Sequence, residues 1–303
     1  MPHPGPSPRL SAILQAIFVT FLWSTSWVLI KIGLRGNLPP LTFAGLRYGL
    51  ASLCLLPIIL FNPGYRLALR KISPSGWLRL ALLGIVYYTL TQGALFVSLA
   101  YLPAVMVNLL LNLTPVIVGA LTLFLVKEQP GVLQWFGILF TAIGTGIYFL
   151  PFVIATSAFI GLAMAVLGVL ANSAASLQGR QVNRDLGLPP LLVTFISMGI
   201  GAILLLGTGL IFQGFGQPTL IDWGIIGWLA VVNTALAFTI WNATLRTLTA
   251  VESSILNSLM MPQIALLAVL FLGERLSIKE IIGLVLVGIG VIVVQLKQKR
   301  SSA

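Results

Sequence analysis

Leu38-Pro39-Pro40-Leu41 and Leu188-Pro189-Pro190-Leu191 stand 150 residues apart, and Gly49 and Gly199 keep the same offset. A second register, at 146 residues, pairs Ala104-Val105 with Ala250-Val251, Glu128 with Glu274, Gly137 with Gly283, and Ile143-Gly144 with Ile289-Gly290. Scattered Gly and Leu coincidences are cheap in an apolar chain. A repeated LPPL, a lone acidic loop residue and a G-x5-I-G in fixed register are not. The chain therefore reads as a duplication, residues 1–152 followed by residues 153–303.

Composition says what each copy is built for. The 303 residues are 58% hydrophobic and only 8% charged, with a mean hydropathy of +1.05. Soluble domains run at about 45–50% apolar and about 25% charged. That gap excludes a soluble globular enzyme, a disordered chain and a disulfide scaffold. Cys54 is the single cysteine and His3 the single histidine, so neither a disulfide nor a Cys/His metal site is available. The net charge of +11 is spread singly or in small groups between apolar runs, the pattern of membrane loops rather than of a nucleic-acid surface.

Ten apolar runs have the length a bilayer demands, about 20 residues each. They lie at 11–33, 41–61, 77–99, 104–126, 131–150, 157–179, 189–212, 223–245, 251–272 and 278–296. In lipid every backbone polar group must bond internally, so such runs are helices. The first is too long for a signal-peptide core and reads as a retained span. Five spans per copy is an odd number, so the second copy enters the membrane from the opposite side. The expected fold is an all-α polytopic membrane protein of ten transmembrane helices, arranged as two inverted five-helix repeats.

Lys and Arg set the orientation. With the N-terminus inside, the inner segments hold Arg9, Arg66, Arg70, Lys71, Arg79, Lys127, Arg180, Arg184, Arg246, Lys297, Lys299 and Arg300. Lys31, Arg35, Arg47, Arg275 and Lys279 fall elsewhere, and twelve against five predicts both termini in the cytoplasm.

Polar residues inside spans should face the bundle interior, since lipid-facing positions are apolar. Trp23, Trp27 and Lys31 step by four along span 1 and share a helical face. Arg47 is the deepest cation, two turns into span 2, and suits a substrate carboxylate or a gating partner. In span 3, Tyr88 and Gln92 share one face, Tyr87 and Thr91 another. Asn108 and Asn112 precede Pro115 in span 4, where the missing N–H frees a carbonyl. Span 9 offers Ser254, Asn257, Ser258, Pro262 and Gln263. Asn172, Ser176 and then Arg180 follow one face of span 6, as do Asn233 and Trp241 in span 8, with Asn242 alongside. The cavity candidates are thus Trp23, Trp27, Arg47, Tyr87, Tyr88, Gln92, Asn108, Asn112, Asn172, Ser176, Asn233, Trp241 and Asn257. The alternative for the tryptophans is an interfacial or packing role, for Arg47 snorkelling outward or bonding the free carbonyls near Pro40, and for the others helix–helix hydrogen bonding or packing. Glu128 and Glu274 read as structural, capping the helices that follow them, and Ser277 with Glu280 spells a capping box. Gly137, Gly144, Gly283 and Gly290 read as contacts within the fold or between protomers.

These features together resemble the EamA-type members of the drug/metabolite transporter superfamily. The signs are Trp23-Ser24 with Lys31 in span 1, Pro40 with Arg47 and Ala51 in span 2, and Ala94-Leu95 to Ala100 in span 3. Pro115 follows in span 4, with Lys127-Glu128 and Leu272-Gly273-Glu274-Arg275-Leu276-Ser277 closing spans 4 and 9. The resemblance implies two five-helix repeats and export or exchange of small metabolites, often amino acids, in a bacterial inner membrane. The chain departs from it at Asn172, where the family often has a Trp, and at Ser197, which replaces the Arg47 of the first half. Symmetric gating by identical residues is therefore not expected.

The expected function is secondary transport of a small-molecule substrate, amino acids first, by alternating access. An exchanger of nucleotide sugars or sugar phosphates would want more cavity cations than Arg47 with Lys31 or Arg180. A membrane enzyme would want clustered carboxylates or histidines. With no P-loop, direct ATP hydrolysis is not expected, and neither a cofactor nor a nucleic-acid partner is required. Glu252, in the first turn of span 9, is the nearest approach to an intramembrane carboxylate, so facilitated or exchange-type flux is expected, with proton antiport open. The oligomeric state is open, a monomer included.

Overall fold

The computed structural model describes residues 8–114, 117, 132–150, 158–244, 247–248, 256–257 and 259–296, and the described residues contain no strand. Each predicted run holds a described helix. These are α1 (Pro8–Gly33), α2 (Pro40–Phe61), α4 (Pro74–Tyr101), α5 (Ala104–Leu111), α6 (Val132–Phe149), α7 (Phe159–Asp185), α8 (Pro190–Phe212), α9 (220–244), α10 (Met260–Leu272) and α11 (Ile278–Leu296). A short basic helix, α3 (Pro63–Arg70), joins α2 to α4, with the Asn62 side chain accepting from the amides of Gly64 and Tyr65. Five of these helices, α1, α2, α4, α7 and α8, are long and apolar enough by length and composition to cross a membrane. Leu53, Ile203, Ile211, Phe212, Leu266, Leu270 and Phe271 are exposed, a surface suited to lipid. The protein is an all-α, polytopic integral membrane protein.

The inversion is visible in how equivalent helices meet. Helix α2 packs on α8, its counterpart in the other repeat. Thr42 meets Gly209, Gly45 meets Leu206, and Ser52 meets Gly199, so advancing along α2 means retreating along α8. Helices α6 and α11 pair the same way, with Gly144 against the Gly283 carbonyl and Gly290 against that of Gly137. A Cβ on Gly144 would stand 2.7 Å from that Gly283 oxygen, which is why both seams are written in glycine. The recurring glycines of spans 5 and 10 thus belong to packing within the fold. Span 7 extends the same logic: Gly201 lies against the backbone of Gly84 and the Cβ of Tyr88.

Among the described residues, three helices are not purely α. Gly84–Gln92 in α4, Val231–Leu236 in α9 and Ala268–Leu272 in α10 are π-helical. The first two occupy equivalent spans, and in each a threonine hydroxyl bonds back five residues, Thr91 to the Val86 carbonyl and Thr234 to that of Leu229. Period-3.6 patterning does not foresee such turns, and they redirect several of the predicted faces. Helix α7 also outruns the predicted 157–179 by reaching Asp185, whose carboxylate pairs with Arg79 of α4 at 3.4 Å. The predicted Ser277–Glu280 capping box is present, and Thr219 with Asp222 forms a second at the start of α9.

Candidate functional site: a cavity between the repeats, sealed at one end

Spans from both repeats enclose a cavity of about 680 Å³. Ten of the thirteen predicted residues line it: Trp23 and Trp27 (α1), Arg47 (α2), Tyr87 and Gln92 (α4), Asn108 (α5), the adjoining Asn112, Asn172 (α7), Trp241 (α9) and Asn257. Sequence reasoning missed Tyr48, Phe238, Met260 and Met261, which line it too. Phe238 lies one helical turn from Trp241, so the period that found one could have found the other.

Two poles differ in chemistry. At the first, Arg47 is buried, its guanidinium 5.0 Å from the Tyr48 ring centre and 6.0 Å from that of Phe96, with Nε donating to the Thr234 hydroxyl at 3.3 Å. The Tyr48 hydroxyl donates to Gln92 Oε1 at 2.7 Å. Asn112 Nδ2 donates to Asn108 Oδ1 at 3.2 Å, and the buried Asn108 Nδ2 has no partner among the described residues. At the second pole, Trp23 packs on Trp241 and Phe238 with ring centres 5.1 and 5.3 Å apart. No Asp or Glu among the described residues lines the cavity.

Three predicted residues lie elsewhere. Tyr88 was paired with Gln92 on an α-helical face, but the π turn puts residues five apart on one face, so Tyr87 joins Gln92 instead. Tyr88 is buried between the Tyr48 ring and Gly201. It borders a separate pocket of about 290 Å³ shared by Asn172, Ser197 and the exposed Ser176, whose hydroxyl donates to its own helix at Asn172. Asn233 is fully buried in the π turn of α9, where Nδ2 donates to the Leu22 carbonyl and to the Thr25 hydroxyl at 3.0 Å. It is a joint between α9 and α1, not a lining residue. Gln263 likewise joins α10 to α1, accepting from Ser24 at 2.9 Å.

One end of the cavity is sealed. Lys31 Nζ donates to the carbonyls of Leu99 and Leu102, each at 2.6 Å, where α4 breaks before Pro103. Lys31 therefore joins spans 1 and 3 of the first repeat and does not line the cavity. The Glu274 carboxylate accepts from the amides of Ala104 at 2.6 Å and Val105 at 3.2 Å. The expectation that Glu274 caps the following helix fails: it caps α5, in the other repeat, where the free N-terminal amides attract a carboxylate. Arg35 adds a bond to the Leu272 carbonyl at 3.2 Å. The Gln213 side chain accepts from the Leu41 amide at 2.9 Å, and Thr42 donates to the Gly214 carbonyl at 2.8 Å. The repeats are not symmetric at the site, because Ser197, the counterpart of Arg47, spends its hydroxyl on Val193 of its own helix.

Pro115, Lys127, Glu128, Arg246, Glu252, Ser254 and Ser258, and the side chains of Arg180 and Asn242, lie outside the described residues.

Comparison with known proteins gives this arrangement a context. The chain is 26% identical over 311 residues to the uncharacterized transporter YvbV of Bacillus subtilis (strain 168), covering 98% of this chain and 95% of that one. It is 25% identical over 267 residues to the uncharacterized transporter YyaM of the same organism, covering 85% of each. A solved crystal structure superposes with a TM-score of 0.64 at 19% identity, over 94% of this chain and 97% of the other, which speaks to the fold alone. The profile of the EamA-like transporter family matches twice, at residues 10–150 and 159–296. With both repeats matched over most of their length, the chain belongs to the EamA-like transporter family.

Proposed function

We propose that this family member is a secondary transporter of a bacterial inner membrane, exporting or exchanging small metabolites, amino acids foremost, by alternating access through the central cavity. The observation that carries the reading is the convergence of polar and aromatic side chains from seven spans of two antiparallel repeats on one cavity, closed at one end by contacts between those repeats. Two such halves can exchange which end is closed without rebuilding the site between them. With both termini cytoplasmic, as the Lys and Arg distribution predicts, the sealed end faces away from the cytoplasm. Arg47 is placed to hold a substrate carboxylate, with the tryptophan pole against the side chain. A sugar phosphate, carrying about two charges, would want further cations, and Arg47 is the one cation lining the cavity among the described residues.

The test is counterflow in proteoliposomes loaded with a panel of amino acids, organic acids and sugar phosphates, with and without a proton gradient. Counterflow of amino acids independent of the gradient supports an exchanger. Counterflow of sugar phosphates alone, or of nothing in the panel, overturns the reading.

A further inference from the structure

Resting on the reading of the central cavity as the substrate site, we propose that the group it recognises is a carboxylate on an apolar body, with no requirement for an ammonium group, so that organic acids lacking the amino group are ligands in their own right.

The argument is a count of hydrogen-bonding roles. Arg47 offers only donors; its Nε is used by Thr234, and the residue lines the cavity. Gln92 has its acceptor oxygen occupied by the Tyr48 hydroxyl, which leaves its amide N–H groups to offer. Asn108 has its acceptor occupied by Asn112, while its Nδ2, on a side chain only 5% exposed, has no partner among the described residues. Three residues from α2, α4 and α5 therefore present a surplus of donors beside one permanent positive charge. A carboxylate is acceptor-only, carries one negative charge and takes a guanidinium in bidentate fashion.

The opposite charge finds only neutral acceptors, the side-chain oxygens of Asn112 and Asn172, whose amides donate to Asn108 and Thr114. An ammonium group needs acceptors or an anion, and no carboxylate among the described residues lines the cavity. It would also sit in a confined space with the Arg47 guanidinium, which repels it. Trp23 packs at tilted angles of 53° and 55° on Trp241 and Phe238, which takes up part of the aromatic surface that would otherwise attract a cation. Trp23, Trp241 and Phe238, with Met260 and Met261, instead provide an apolar wall for the body of the ligand.

A matched series isolates the two charges: phenylalanine, 3-phenylpropionate and 2-phenylethylamine, titrated against the full-length protein in nanodiscs by calorimetry. 3-Phenylpropionate is expected to bind at least as tightly as phenylalanine, and 2-phenylethylamine at least tenfold more weakly than either, about the value of one charge-assisted hydrogen bond. Arg47→Gln should weaken 3-phenylpropionate by about 10- to 100-fold and strengthen 2-phenylethylamine by relieving the charge repulsion, while Arg47→Lys should retain part of the acid affinity because the charge survives without the bidentate fork. Amine binding equal to that of the acid overturns the proposal. So does undiminished acid binding by Arg47→Gln with an unaltered melting temperature, or a failure of all three probes to bind. The last result, combined with counterflow of another solute, would remove the carboxylate proposal while leaving the transporter reading intact.

Discussion

Replacing Glu274 by Gln should loosen the sealed end and leave the cavity lining untouched. The carboxylate makes two bonds to the amides that begin α5, at 2.6 and 3.2 Å. Hydrogen bonds to a charged group are worth about 1.5–3 kcal/mol and neutral ones about 0.5–1.5 kcal/mol, so neutralising the acceptor costs about 1 kcal/mol per bond. Losing a negative charge at a helix N-terminus adds about 0.3–1 kcal/mol. Glu274 is partly exposed, which favours the lower end of both ranges. The net bias against closure is then about 2 kcal/mol, or about 30-fold in the ratio of open to closed molecules at 1.4 kcal/mol per tenfold. Ser26 lines the cavity and is buried, so Ser26→Cys in a Cys54→Ser background reports access from the Gly36 side. With an impermeant thiol reagent added on that side, the labelling rate should rise by about 30-fold on Glu274→Gln. An unchanged or slower rate, with the same melting temperature, would refute the assignment of Glu274 as a closing contact.

Other substitutions separate joints from lining. Asn233→Leu removes the bonds to α1 and should cost about 1–3 kcal/mol of stability, read as a lower melting temperature, with the apparent KM for substrate unchanged. Gly144→Leu drives a side chain into the Gly283 backbone and should abolish folded protein in detergent, whereas Gly207→Leu, whose Cβ meets nothing within 4 Å, should be tolerated. Trp23→Ala should raise the KM for apolar substrates by opening the aromatic pole, a larger effect than on the KM for small polar ones.

Much of the architecture was legible because lipid enforces simple rules. Apolar length fixed where the helices lie, and the shared LPPL and G-x5-I-G registers fixed the duplication, since both mark the glycine seams where α2 meets α8 and α6 meets α11. Residues standing alone as polar in apolar runs, such as Arg47, Asn108 and Asn172, were found for the same reason: burial against lipid excludes them from the outer face. The errors share a cause of their own. Tyr88 and Asn233 sit in π turns, where a period of 3.6 misassigns the face. Ser176 sits on the correct helix but borders the smaller neighbouring pocket. Lys31 and Glu274 bond to backbone groups of other spans, Leu99 and Ala104 among them, and no local pattern announces a partner that far along the chain.

Alternating access predicts that the two ends of the cavity move in opposite senses. Spin labels at Asn37 and Lys279 span the sealed end, and labels at Ser75 and Asn183 span the other; all four side chains are exposed and each pair bridges the repeats. Distance distributions should be recorded for both pairs in nanodiscs, with and without a solute that undergoes counterflow. Lengthening across the sealed end, matched by shortening across the other, is the predicted result. Two distances that stay fixed under turnover conditions, or that lengthen together, would contradict the account.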